Sequence, residues 1–401
     1  MMDSDIFYRD PEELTSVPFG NDFPEIRDAI RAICANYPTD YWVKLEHDHR
    51  WAEEFVQELT EAGFLSAMIP EDFGGSGLPI RAGGVVFEEI NAAGCSSADC
   101  RAQMYMMGML LRHGSDYLKE RYLPDVASGK LRYQSFGVTE PTTGSDTLNL
   151  KTRAVRDGDH YVVNGQKIWT SRALHSDLMT LLVRTTPVDQ VKRRTDGLSV
   201  LMVDMREAVG NGMTIKPIDT MVNHQTNEIF YDDLRVPVEN LIGEENNGFR
   251  IILDGMNSER ILVSHESLGD ARYFIRKAVN YAKERVVFGR PIGQNQGIQF
   301  PIARSYAEWK AADMVVRSAA ALFQDGKPCG EEANIARLLS SEAAWNAGEA
   351  CMQTHGGFAV AREYGIEQKW RNARIGRIAP VSSNLILAYI GHGVLGMPKS
   401  Y

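Results

Sequence analysis

KTRAVRDGDHYVVNGQKIWT, residues Lys151 to Thr170, alternates apolar and polar side chains and is rich in β-branched residues. That is the pattern of a pleated strand with one face buried. Asp157-Gly158 and Asn164-Gly165 are tight-turn signals, because glycine reaches the positive φ that a two-residue hairpin turn requires. The same character continues through DLMTLLVRT, GLSVLMVDM, MTIKPI and NEIFYDDLRVP. The pattern predicts a small antiparallel β domain over residues 131–243.

On both sides the period changes to that of helices. Upstream, Asp22 to Tyr37, Glu46 to Gly63, Arg81 to Gly94 and Asp99 to His113 repeat apolar residues every three or four positions. Gly and Pro punctuate the breaks, as in IPEDFGGSGLP. Downstream of Gly243 the helical period returns, and Asn247 to Phe288 reads as one very long helix. Pro291, Gly297, DGKPCG and GGFA divide the remainder. The expected fold class is α+β multidomain: an N-terminal α-helical domain (1–130), the middle β domain, and a C-terminal four-helix-bundle-like domain (244–401).

With 401 residues, 44% of them hydrophobic, the chain can bury a large core in two or three domains. A net charge of −10 argues against general nucleic-acid binding and against an anionic membrane surface. Five cysteines, at 34, 95, 100, 329 and 351, form no CxxC pair. They read as free core thiols in a reducing compartment, with no metal site. The N-terminus is acidic without an apolar stretch, and no 18-residue apolar run exists, so a cytoplasmic, non-membrane protein is the default expectation. No GxGxxG follows a strand and no P-loop is present, which disfavours both nucleotide folds.

Four segments bear on chemistry. FGVTEPTTGSD (Phe136–Asp146) concentrates flexible and hydroxylic residues that can offer N–H and O–H groups to phosphate or a heteroaromatic ring. NGQKIWTS (Asn164–Ser171) sets a Trp beside hydroxyls near a strand end. ERVVFGRPIGQNQGIQF (Glu284–Phe300) and CMQTHGGFA (Cys351–Ala359) place polar donors beside glycines at helix ends, an arrangement that suits pyrophosphate. Taken singly, each reads equally as a loop or a sheet anchor. His47, Asp48 and His49 read as an exposed helical face, and Lys192, Arg193 and Arg194 as a loop tip. The Met-rich run QMYMMGMLL (Gln103–Leu111) reads as core, with an acyl-pocket wall as its secondary reading.

Together, GVTEPTTGSD, NGQKIW, ERVVFGRPIGQNQ and QTHGGFA, in this order on a helix–sheet–helix plan, closely resemble the acyl-CoA dehydrogenase family. The resemblance runs from about Phe23 to about Gly396. It implies α,β-dehydrogenation of an acyl-CoA thioester, with FAD as cofactor and an electron-transferring flavoprotein as acceptor. It implies that Phe136, Val138 and Thr139 line the flavin ring and that Trp169 flanks it. Ser171 stands where the family usually has a flavin-facing Thr. Ser145 falls near the FAD pyrophosphate and the CoA arm. Arg285, Phe288 and Gln296 would hold a neighbouring subunit's FAD, Gln353, Gly356 and Gly357 would reach its diphosphate, and Ser382 and Asn384 would lie on its adenosine side. A site completed by two subunits implies a homo-oligomer, and members of this family are usually homotetramers.

Two departures stand out. Ala359 ends a GGFA that is GGxG in the family. Many members carry their catalytic Glu in a Tyr-Glu-Gly-Thr signature, whereas this chain reads RIAPVSSN with Pro380 at the Glu position. Proline has neither a side-chain base nor a backbone N–H. Glu259, in NSERILV, stands where the isovaleryl- and long-chain branch keeps its base, which makes it the expected catalytic residue. Asn257 and Arg260 would then lie near the CoA portion. A base on the mid-chain helix would also free space near the substrate β carbon. Rival readings are an acyl-CoA oxidase or flavin monooxygenase on the same fold, or a non-catalytic acyl-CoA-binding homologue.

Overall fold

The structure, a computed structural model, describes residues 22–399. Six helices come first: α1 Pro24–Ala35, α2 Thr39–His47, α3 Glu53–Glu61, α4 Ile80–Ala93, α5 Arg101–His113 and α6 Asp116–Ala127. Strands β1 Tyr133–Gly137, β2 Arg153–Asp157, β3 His160–Ser171, β4 Leu178–Arg184 and β5 Leu198–Asp204 follow. After the short α7 Met205–Ala208 come β6 Met213–Pro217, β7 Thr226–Pro237 and β8 Leu241–Ile242. The chain then enters α8 Gly248–Glu284, 37 residues long, and the small hairpin of β9 Val286–Val287 and β10 Arg290–Pro291. It ends with α9 Gln296–Gln324, α10 Gly330–His355, α11 Ile366–Ile375 and α12 Ser383–Tyr389. The helix–sheet–helix order is the expected one. No helix among the described residues is long and apolar enough to cross a membrane.

Three sequence expectations change in detail. The helix read over Glu46–Gly63 is two helices, α2 and α3, interrupted where His49 takes φ 50°. Trp51, just after the break, is buried with its Nε1 donating to Asp99 O and its ring stacked on His175. Packing of one side chain therefore overrides local helix propensity. Second, the sheet is mixed. Its strands run β6-β7-β3-β2-β4-β5-β8, largely antiparallel, but β1 and the start of β2 pair β4 in parallel. The loop after β1 and the β2–β3 hairpin act as a crossover that brings β4 back in the direction of β1.

Third, Asn164-Gly165 is not a turn. It lies inside β3, at a register shift against β7, with Gly165 at φ 149°. A Cβ on Gly165 would stand 2.5 Å from Thr152 Oγ1, so the glycine admits close approach of the β2 side. The Asn164 amide is clasped instead by β7: its Nδ2 donates to Asp233 Oδ1 and its Oδ1 accepts from Asp233 N. The Asp157-Gly158 signal does make the β2–β3 turn.

The described residues form two compact units, one comprising 22–47, 79–97 and 259–399, the other Asp48–Leu78 and Ala98–Ser258. In the first, α9 and α10 pack along each other, and α10 presents Ala333, Ala336, Ala343, Ala344 and Ala347 to the interior. Gly269 lets α8 approach α4 closely, since a Cβ there would meet Glu88 O at 2.2 Å. Beside this contact lies a buried ionic network. Arg27 and Arg272 both reach the Glu88–Glu89 pair, Arg272 at 2.9 and 2.8 Å. Arg27, Arg81 and Arg317 converge on Asp22.

In the second unit the core is one face of the sheet, including Val163, Met179, Leu181, Leu201 and Ile229. Met104, Met106, Met107 and Met109 of α5 are buried, as the core reading expected. All five cysteines are buried, as expected, and none is in a disulfide among the described residues. His47, Asp48 and His49 are exposed.

Candidate active site

In the second unit the site is built on two neighbouring strand ends. β1 delivers the chain into the Phe136–Asp146 loop, whose Glu140 and Thr143 close a tight turn by mutual backbone hydrogen bonds. Lys167 of β3 fastens this loop from beneath. Its Nζ donates to Val138 O and to Glu140 Oε1, both at 2.9 Å. The other sides of the Glu140 carboxylate accept the backbone N–H groups of Lys151 and Thr152. Burial alone would raise the Glu140 carboxyl, but the Lys167 ammonium and these amides outweigh it and hold it below its ordinary range. Burial pushes Lys167 down to about 8, against the opposing pull of Glu140.

Ile168 N donates to Thr139 O at 2.9 Å, zipping the loop rim to β3 beside Trp169. At this point β3 shifts register against β7, between Lys167 and Thr170, and Trp169 takes φ 62°. The bulge turns the indole outward, leaving it 58% exposed, while Thr170 stays buried. Phe136, Val138, Thr139 and Ser171 are half-buried. The Phe136 ring lies 6.5 Å from that of Tyr105 on α5. Four of the expected ring-lining residues and Trp169 are thus carried by adjoining strand ends. Ser145 is exposed farther along the loop, where Arg194 bonds Asn149 and stands 3.9 Å from Asp146. The basic segment 192–194 is the exposed tip between β4 and β5, in keeping with the loop-tip expectation.

In the first unit, Arg285 directly follows α8 and its guanidinium stands 5.7 Å from the centroid of the Phe358 ring. This contact joins the β9–β10 hairpin to the GGFA turn. Phe288, at the hairpin tip with φ 52°, is completely exposed. Gln296 opens α9, and Gln353, Gly356 and Gly357 close α10, all four exposed. Gly356 adopts φ 58°, ψ −131°. The Ala359 methyl is buried, so the departure from glycine fills core space. Ser382 caps α12 by accepting from Leu385 N, and Asn384 is exposed on its first turn.

Glu259 is buried on α8, 7% exposed, beside Arg260 at 8%; Asn257 is half-buried. Burial lowers the Arg260 pKa, and the Glu259 carboxylate is the leading influence in the other direction. A carboxylate sheltered from water can serve as a general base. The Pro380 segment offers no such group. Its Ala379 and Gly376 carbonyls are instead fixed by the buried Arg337.

In the second unit, an outward indole and half-buried hydroxyls on a pinned loop suit a planar heteroaromatic ring. In the first, the exposed Arg285 guanidinium suits a phosphate group. Sequence reasoning passed over Lys167 and Glu140. Their signal was a lone lysine at an inward strand position with a carboxylate in the preceding loop.

Family models for the acyl-CoA dehydrogenase N-terminal, middle and C-terminal domains match residues 21–130, 135–234 and 246–395. The chain is 31% identical over 379 residues to the acyl-CoA dehydrogenase FadE12 of Mycobacterium tuberculosis, covering 94% of this chain and 96% of that protein. It is 30% identical to the acryloyl-CoA reductase (NADH) of Anaerotignum propionicum, over 88% of this chain and 89% of the other. Among solved structures, butyryl-CoA dehydrogenase from Megasphaera elsdenii superposes with a TM-score of 0.85 at 26% identity, covering 92% and 98% of the two chains.

Proposed function

The chain belongs to the acyl-CoA dehydrogenase family of oxidoreductases, and on that premise we propose that it removes two hydrogens from the α and β carbons of an acyl-CoA thioester. The product is the trans-2-enoyl thioester. The observation that carries this reading is Glu259, a buried carboxylate on α8 in a chain whose other family base position holds Pro380. In this reading the Glu259 carboxylate takes the α proton. Asn257 and Arg260 hold the CoA portion.

FAD, when bound, supplies the hydride-accepting chemistry. Around it, the Trp169 indole and the Phe136–Thr139 segment form walls, and the Ser171 hydroxyl offers a hydrogen-bond donor. Lys167 and Glu140 keep the loop in one conformation, so that its donors need not reorganise during reaction. Arg285, Gln296, Gln353, Gly356 and Gly357 hold the phosphates, Ser382 and Asn384 the adenosine side, and Ser145 the pyrophosphate region. The fully exposed Phe288 beside Arg285 supports a homotetramer in which these groups serve a neighbour's cofactor. An electron-transferring flavoprotein would be the acceptor for the electrons that the bound cofactor takes up.

The test is anaerobic bleaching of the flavin absorbance by a panel of straight, branched and aromatic acyl-CoAs, followed by reoxidation with an electron-transferring flavoprotein. Failure of every acyl-CoA to bleach the flavin would sink the reading. The similarity to an acryloyl-CoA reductase supports a second direction for the same groups, with Glu259 returning a proton to the α carbon. Flavin reduction by NADH, followed by reoxidation with an enoyl-CoA, would favour it. Peroxide formation without a carrier would favour an oxidase.

A further inference from the structure

Arg172 follows Ser171 directly and takes a left-handed backbone, φ 57°, with its N–H donating to Gln225 O at 2.7 Å. Its side chain turns inward, leaving the residue 3% exposed. The guanidinium Nε and Nη1 are buried and have no hydrogen-bond partner among the described residues. A guanidinium does not escape this cost by losing its proton, because its pKa lies far above neutrality. Burial weakens its hold on the proton, and the nearby charge of Arg101, on the first turn of α5, adds to that; Tyr105 and Asp99 act in the opposite sense.

Two further buried side chains of the second unit also have unpartnered polar atoms. Gln134 is 1% exposed and both its side-chain amide atoms lack partners among the described residues; the Thr170 hydroxyl, also 1% exposed, lacks one too. Gln134 lies at the register irregularity of β1, the strand that packs against α5 and against the turn that follows Arg172. Buried polar groups are nearly always satisfied, so an orphaned fixed charge points to an acceptor supplied from outside the fold. A guanidinium suits a singly charged planar group, which it grips with parallel charge-assisted hydrogen bonds.

Arg101 and Tyr105 lie on α5, the Met-rich helix with the secondary reading of an acyl-pocket wall. We propose that Arg172 receives a carboxylate at the far end of the acyl chain, so that the thioester this protein takes is one whose acyl group ends in a carboxylate. The proposal rests on the acyl-CoA reading above and narrows its substrate class. Arg172 is then a specificity residue.

The test is equilibrium binding of two length-matched CoA thioester series to the flavin-loaded protein, one series ending in methyl and the other in carboxylate. The carboxylate-ended series is expected to bind about ten- to a hundredfold tighter at its best length. Arg172→Gln should erase that preference while leaving the methyl-ended series unchanged, and Arg172→Lys should keep part of it. Because Arg172→Gln removes a buried charge without partners, its melting temperature should equal or exceed that of the parent. Equal or tighter binding of the methyl-ended series by the parent overturns the proposal, as does a loss in Arg172→Gln that falls equally on both series. If Arg172→Gln does not fold, the parent's own preference and Arg172→Lys decide the matter. Binding of the methyl-ended series alone sinks this inference and spares the acyl-CoA reading. Binding of neither series sinks both.

Discussion

Lys167 donates from Nζ to Glu140 Oε1 at 2.9 Å, with the two side chains 0% and 5% exposed. The same ammonium holds Val138 O, so one buried cation ties β3 to the backbone and to a side chain of the loop it faces.

Lys167→Met should therefore do more than remove a contact. It leaves the Glu140 carboxylate buried without its cation, which costs about 3–5 kcal/mol for pairs of this kind. Chemical denaturation should show a loss of that order, and the loosened loop should release FAD more readily. A stability change below about 1 kcal/mol, within the range of ordinary surface substitutions, would mean that the pair does not pin the loop.

Acid should weaken the first unit through Asp22. Burial alone would raise its carboxyl, but Arg317 and Arg27 bring it down from 3.8 to about 2. A carboxyl depressed in the folded state contributes stability that is complete above its unfolded pKa and is lost as pH falls through the folded value. The window is therefore from about 4 down to about 2. Asp22→Asn should lose roughly 2 kcal/mol at neutral pH and flatten the stability profile across that window. An unchanged acid limb in denaturant titrations at several pH values would contradict this.

Glu259→Gln is nearly isosteric and removes the proposed base. The variant should fold, retain flavin and bind acyl-CoA. Its rate of flavin bleaching should fall by about 10²–10⁴, the range for loss of a general base. Bleaching near the parental rate with the best substrate would assign the proton to another carboxylate.

On the proposed role of Arg285, Arg285→Ala should purify with less flavin and a weaker FAD affinity, because it would lose charge-assisted bonds to phosphate oxygens. Arg285 is exposed and lies against Phe358, so the melting temperature of the flavin-free protein should stay the same. Full flavin occupancy in the variant would remove Arg285 from the cofactor site.

Much of the fold was legible because period and punctuation agree over long stretches. Asn247–Phe288 read as one helix and α8 fills Gly248–Glu284, ending where the β9–β10 hairpin begins. The β strands were legible for the same reason. The break after α2 was not, because no glycine or proline marks it; the seating of Trp51 against Asp99 and His175 makes it. The candidate-site segments stood out as hydroxyl- and glycine-rich stretches, and the structure carries Phe136, Val138, Thr139, Ser171 and Trp169 on adjoining strand ends of the second unit. Lys167 and Arg172 were hidden, because a sequence does not say whether a charged residue on a strand faces water or the interior. For Lys167 the answer comes from Glu140, which pairs with it across 27 positions.

Asn164-Gly165 gives the nascent chain a choice. A hairpin turning there would lay Gln166–Ile168 on the edge of Tyr161–Val163 that β7 occupies in the folded sheet, the other edge being paired with β2. That hairpin and the β3–β7 pairing are mutually exclusive, and the hairpin can form before β7 is made. Asp233, 69 residues downstream, arrives late and takes the Asn164 amide for the extended strand. Commitment of β3 to its final register is thus deferred until the far side of the sheet has been synthesised, and an Asp233→Ala chain should refold more slowly through a population turned at the wrong glycine.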